Sequence, residues 1–225
     1  MTAVHPASSE PLVAGRFKEP FSGFSHAVGL VGAAIGTIAL VLVASGKPST
    51  LASVLVYGLS LIALYAASSA YHLIRGNDSL DRMLRRFDHC AIFGLIAGTY
   101  TPMLYGALQG TPRVVYLGIV WSIAILGIIM RIAWLGAPRW LYTAMYLGMG
   151  WIGVLEAGTF RRALPPDVIG FVVAGGLTYT AGAVIYALKR PKLWPGRFGF
   201  HELWHLFVLS ASALHFVAVF LLARG

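Results

Sequence analysis

Seven stretches of this chain are each long and apolar enough to cross a bilayer. They cover residues 21–45, 50–74, 87–108, 113–134, 139–158, 166–188 and 200–223. A spanning helix needs about 20 consecutive, mostly apolar residues. Turn-forming residues separate the runs: Gly46-Lys47-Pro48, Gly110-Thr111-Pro112, Gly136-Ala137-Pro138 and Pro165-Pro166. Only 11% of residues are charged, whereas a soluble domain carries about 25%. The chain therefore has too few charges to cover a water-facing surface. No linker is long enough to separate two folded units, and no repeat of fixed period is present. The expectation is an all-α integral membrane protein, a seven-helix transmembrane bundle over residues 21–225.

Residues 1–20 read as a short polar tail. They hold His5, Glu10, Arg16, Lys18 and Glu19 among three prolines. They contain no apolar core of signal-peptide length, so no cleavable leader is expected. The lone cysteine, Cys90, excludes an internal disulfide. The formal charge of +9 would suit nucleic acid in a polar chain, but no nucleic-acid motif accompanies it. In a chain this apolar, basic residues mark cytoplasmic loops.

Orientation follows from the lysines and arginines in alternate loops. One side carries twelve: Arg16, Lys18, Arg75, Arg82, Arg85, Arg86, Arg131, Arg139, Lys189, Arg190, Lys192 and Arg197. The other carries five: Lys47, Arg113, Arg161, Arg162 and Arg224. The positive-inside rule then puts the N-terminus in the cytoplasm and the C-terminus outside. A G-protein-coupled receptor runs the other way. The expected location is the inner (plasma) membrane, crossed several times.

Ionisable side chains inside membrane helices are costly, and those that persist face the bundle interior and carry function. On this topology Ser68, Ser69 and His72 lie near the cytoplasmic end of the second run. Asp88 and His89 open the third, and His201, Glu202 and His205 open the seventh. His201 and His205 are four residues apart, so both imidazoles share one helix face. Ser68 and His72 repeat that spacing. Three histidines at matched depth suggest a zinc site, since three nitrogens and a water make a common catalytic shell. Asp88 fits a general base beside it, or a helix N-terminal carboxylate favoured by the dipole. Ser68 can orient a water or bond back to the carbonyl four residues earlier. His89 points about 100° away from Asp88 and is expected to support the site or the fold. Cys90 is expected to pack. His26 lies near the same side and is expected to pack or hydrogen-bond. His215 lies about 15 Å beyond His205 along the helix, too far to share a ligand shell. Glu156 is expected at the outer end of the fifth run, as a surface or pore-rim charge.

Residues 201–205 also match His-Glu-x-x-His, in which two histidines bind zinc and the glutamate serves a metalloprotease as base. The pattern opens the last helix, so a third ligand must lie upstream, and no aspartate motif of the intramembrane metalloproteases is present. Glu202 can instead reach the interface or pair with Arg197.

Three segments together resemble the hemolysin III family, the bacterial branch of the progestin and adipoQ receptor proteins. They are Ser68-Ser69-Ala70-Tyr71-His72, Phe87-Asp88-His89 with Ala97-Gly98-Thr99-Tyr100-Thr101-Pro102, and His201-x-x-x-His205. The resemblance covers about residues 20–223. It implies seven helices, a cytoplasmic N-terminus, and a zinc held by His72, His201 and His205, with the family's serine and aspartate at Ser68 and Asp88. The alkaline ceramidases among its relatives imply metal-dependent hydrolysis of a lipid amide. The expected function is a zinc-dependent hydrolase acting on a lipid-like amide or ester. The alternative is a lipid sensor or receptor-like protein with a structural zinc. A pore former ranks below both, because no continuous polar helix face is present to line a channel.

Overall fold

The computed structural model describes residues 17–194 and 198–225. The chain order is α1 (Pro20–Val43), α2 (Pro48–Leu73), α3 (Asp78–Ala107), α4 (Gly110–Ala133), α5 (Arg139–Trp151), a 3₁₀ segment (Ile152–Glu156), α6 (Ala157–Ala163), α7 (Pro166–Leu188) and α8 (Phe200–Arg224). Among the described residues the regular structure is all helical, apart from an isolated bridge between Trp194 and Phe198. Proline opens α1, α2 and α7. Its fixed φ suits the first turn, and its missing N–H costs nothing there. Asn77 caps α3, its side-chain oxygen accepting from Leu80 N at 2.9 Å. Asp78 and Asp81 in the first turn of α3 complement the helix dipole.

Among the described residues six helices are long and apolar enough to cross a membrane: α1, α2, α3, α4, α7 and α8. Their outward faces are greasy. On α1, Val28 is 72% exposed and Leu42 70%, side chains that water would disfavour and lipid accepts. This is a multi-pass integral membrane protein.

The fifth expected run, residues 139–158, is not one continuous helix. It divides into α5, the 3₁₀ segment and α6. Gly148, Gly150 and Gly153 cluster at the break, and glycine is the weakest ordinary helix former in such an interior. Tyr100 of α3 fills the gap. Its hydroxyl donates to Gly150 O at 2.7 Å and accepts from Gly153 N at 2.9 Å. A Cβ at Gly153 would lie 3.1 Å from that hydroxyl. Backbone groups that an irregular turn leaves without helical partners need such a partner when buried.

The core has two lobes with α3 as the shared wall. Leu95 and Met103 of α3 pack with α1, α2, α7 and α8, including Leu40, Tyr57, Leu61, Val168 and Val219. Phe93, Ala97 and Leu104, on other faces of α3, pack with Val120 and Ala124 of α4 and with Tyr142, Tyr146 and Met149 of α5. The start of α1, the end of α2 and the starts of α3 and α8 thereby meet at one end of the bundle.

Candidate metal centre

His72 in the last turn of α2 meets His201 and His205 in the first turns of α8. One ring nitrogen from each lies within 4.8 Å of the other two. The ring centroids are 5.1 Å apart for His72–His201, 4.6 Å for His72–His205 and 5.0 Å for His201–His205. His72 and His205 are buried and His201 is partly so.

The hydrogen bonds bear on which nitrogens of His72 and His205 are free. His72 Nδ1 lies 2.6 Å from Glu19 Oε2. An ionised carboxylate only accepts, so Nδ1 carries the proton and the Nε2 lone pair is left for a ligand. This bond also holds the Glu19 carboxyl below the usual carboxylate range. His205 Nδ1 lies 3.0 Å from His26 Nε2, and His205 Nε2 lies 3.2 Å from His201 Nε2. If His205 donates from Nδ1 to His26, its Nε2 faces His201 Nε2 with a bare lone pair. Two such lone pairs repel unless a proton or a cation lies between them. A divalent ion would satisfy both and take His72 Nε2 as its third donor. The three histidines could therefore hold a metal ion.

Glu19 is the residue that sequence reasoning left in the tail. Its backbone N–H donates to His72 O at 2.8 Å, and its Oε2 also lies 3.5 Å from His201 Nε2. The segment around it is tied down. Lys18 pairs with Asp81 and lies 3.6 Å from the centroid of the Tyr71 ring, while Arg75 Nη2 donates to Phe17 O at 2.9 Å. The available signal was position: Glu19 is the acidic residue just before the first apolar run, at the histidine-bearing end. His26, expected to pack or hydrogen-bond, bonds directly to His205.

Ser68 and Asp88 line the same cavity as the three histidines. Ser68 is buried, and Asp88 lines the cavity beside it. Asp88 Oδ2 is 3.4 Å from His89 Nδ1. His89 Nδ1 donates to Arg85 O at 2.8 Å, and Tyr146 donates to His89 O at 3.0 Å. His89 thus braces α3 against α5 beside Asp88. Cys90 Sγ lies 3.8 Å from Ile128 O, a packing contact with α4. Glu202 does not reach toward the histidine cluster. Its Oε2 accepts from Gly199 N at 2.7 Å and caps α8. The expected alternative partner of Glu202, Arg197, lies outside the described residues. Glu156 accepts from Tyr116 and from Thr159.

From the histidines a cavity of about 540 Å³ extends between α2, α3, α5, α7 and α8. Its wall is mostly apolar, with Leu95, Met103, Val172 and Val208 along its length and Phe160 and Leu164 at the far end. A polar cluster at one end of a long greasy chamber suits a ligand with a reactive head and an apolar tail.

The family described as "Haemolysin-III related" matches residues 15–216. The chain is 32% identical over 204 residues to a protein of Bacillus subtilis called Hemolysin-3 homolog, covering 90% of this chain and 92% of that one. It is 33% identical to Hemolysin-3 of Bacillus cereus, covering 90% of each. It is 30% identical over 168 residues to the Adiponectin receptor protein of Drosophila melanogaster, covering 66% of this chain and 37% of that longer one.

Proposed function

The chain belongs to the haemolysin-III related family, and from that membership and its histidine cluster we propose that it is a zinc-dependent membrane hydrolase acting on a lipid-like amide or ester. The observation that carries the reading is a shared wall: His72, His201, His205, Asp88 and Ser68 all face one end of a mainly apolar cavity. The all-nitrogen donor set suits zinc. Zinc held there would polarise a carbonyl and lower the pKa of water toward about 7.

The chain's own groups supply the rest. Asp88 takes the proton of the attacking water and returns it to the leaving amine or alcohol. Ser68 holds the Asp88 carboxylate in place and offers its hydroxyl to the reacting oxygen. Glu19 and His26 orient His72 and His205 through their outer nitrogens, as partners of ligating histidines do. The apolar cavity wall excludes bulk water and takes the lipid tail. In this reading the site lies at the cytoplasmic face, which the excess of lysine and arginine on that side supports.

A second reading rests on Glu19. Its carboxylate Oε2 also lies 3.5 Å from His201 Nε2, and if it left His72 Nδ1 to join the three histidines it would make a fourth donor. Such a closed shell would make the metal a structural staple in a lipid sensor. Two measurements separate the readings. Metal content of purified wild type, His72→Ala and His205→Ala tests the site, and equal metal in all three would sink it. Fatty-acid release from lipid amides by wild type and Asp88→Ala tests the chemistry. If the wild type, with its metal bound, turns over none of them, the sensor reading stands instead.

A further inference from the structure

Most polar groups along the cavity spend their hydrogen bonds inside the wall. Thr99 donates to Leu95 O, and Thr180 donates to Gly176 O while accepting from Trp151. Tyr100 bridges Gly150 and Gly153, and Tyr179 bonds Ser212 at 2.7 Å. His215 is different. It lies on α8 ten residues past His205, about 15 Å farther along the helix axis, and it lines the cavity.

Its Nε2 lies 3.1 Å from Val172 O. A carbonyl only accepts, so this nitrogen carries the proton and Nδ1 of the neutral ring is an acceptor. The ring edge bearing Nε2 and Cδ2 lies against Gly175 of α7, where any Cβ would overlap those two atoms. The opposite edge, with Nδ1, is therefore turned away from α7. Among the described residues Nδ1 has no hydrogen-bond partner, yet it is not among the sealed polar atoms. Tyr179, one turn beyond Gly175, braces the ring at 5.5 Å. The absence of a side chain at residue 175 makes room for an imidazole that a purely apolar tail would not need.

We propose that His215 is a second recognition point inside the cavity, accepting a hydrogen bond from a hydroxyl or amide N–H borne on the chain of the bound lipid. The metal end takes the head, and His215 reads a polar group set at a fixed distance along the tail. This deepens the lipid-hydrolase reading and rests on it. An apolar chain also fits, but it leaves Nδ1 facing hydrocarbon, which costs binding relative to a chain that supplies a donor.

The test is equilibrium binding to the purified full-length protein in detergent, by competition with a fluorescent fatty acid. The probes are stearic acid and hydroxystearic acids bearing the hydroxyl at successive chain positions. One interior position should bind roughly five- to tenfold more tightly than stearic acid, the worth of one net hydrogen bond. Positions nearer either end should match the plain chain. His215→Phe should bind stearic acid at least as tightly as the wild type does, because no unpaired acceptor then faces the chain, and should lose the preference. Gly175→Ala should weaken the preference by displacing the ring. A flat series in the wild type overturns the proposal, whether or not the variants fold. So does a preference that survives His215→Phe. If no probe, stearic acid included, competes with the fluorescent fatty acid, the lipid reading of the whole cavity falls, and that outcome is distinct from a flat series.

Discussion

Glu19 Oε2 lies 2.6 Å from His72 Nδ1, so a carboxylate from just before the first helix fixes the tautomer of an imidazole at the end of the second. The relationship spans 53 residues and reserves the other nitrogen of His72 for the histidine cluster. Glu19→Gln keeps the size of the side chain and removes its charge. Metal affinity should fall by roughly 10- to 100-fold, the usual cost of losing an outer-shell partner. Chelator competition on the purified protein measures it, and unchanged affinity would show that Glu19 serves only to anchor the tail.

His26 stands in the same relation to His205. With His205 ligating through Nε2, its Nδ1 carries the proton, and His26→Phe removes the acceptor 3.0 Å from it. Metal affinity should again drop, by about tenfold or more, while His26→Gln, which offers an amide oxygen, should recover part of it. The same chelator titration reads both variants.

Asp88 separates chemistry from metal binding. Asp88→Asn should retain the metal and lower lipid hydrolysis by roughly 10²- to 10⁴-fold, the range for removing a general base. Metal analysis and fatty-acid release on one preparation check both halves. Loss of metal in this variant would make Asp88 a ligand or a structural support instead.

Glu202 bears on the His-Glu-x-x-His pattern. Its carboxylate caps α8 at Gly199, and a glutamine oxygen can accept the same bond. Glu202→Gln should therefore keep both metal and turnover within about twofold, with stability unchanged to within about 0.5 kcal/mol. A base of the metalloprotease kind would instead lose its activity on this substitution.

Tyr100→Phe removes the hydroxyl that serves Gly150 and Gly153. Two backbone groups at the break in the fifth segment are then left without that partner. The protein should lose about 1–3 kcal/mol, seen as a lower midpoint in thermal unfolding in detergent. Metal content should be unaffected, since the histidines belong to α2 and α8.

Local pattern carried much of this protein. Runs of apolar residues determine helices that cross lipid whatever their neighbours are, because each helix satisfies its own backbone. Six spans among the described residues and the histidine positions at the end of α2 and the start of α8 could therefore be read from the residues, but α3 begins at Asp78, ahead of its apolar run, so Asp88 lies well inside that helix and does not open it. The fifth run could not: its apolar length said helix, while its glycines let Tyr100, 50 residues away in sequence, hold an irregular turn. Spacing put His201 and His205 on one face, and alternation of the spans put His72 at the same depth. Depth says nothing about rotation, and rotation is set by how side chains interlock between helices. Only the tertiary structure could bring Glu19 to His72, turn His26 toward His205 and Glu202 back to its own helix end, and pair His215 with the space left at Gly175.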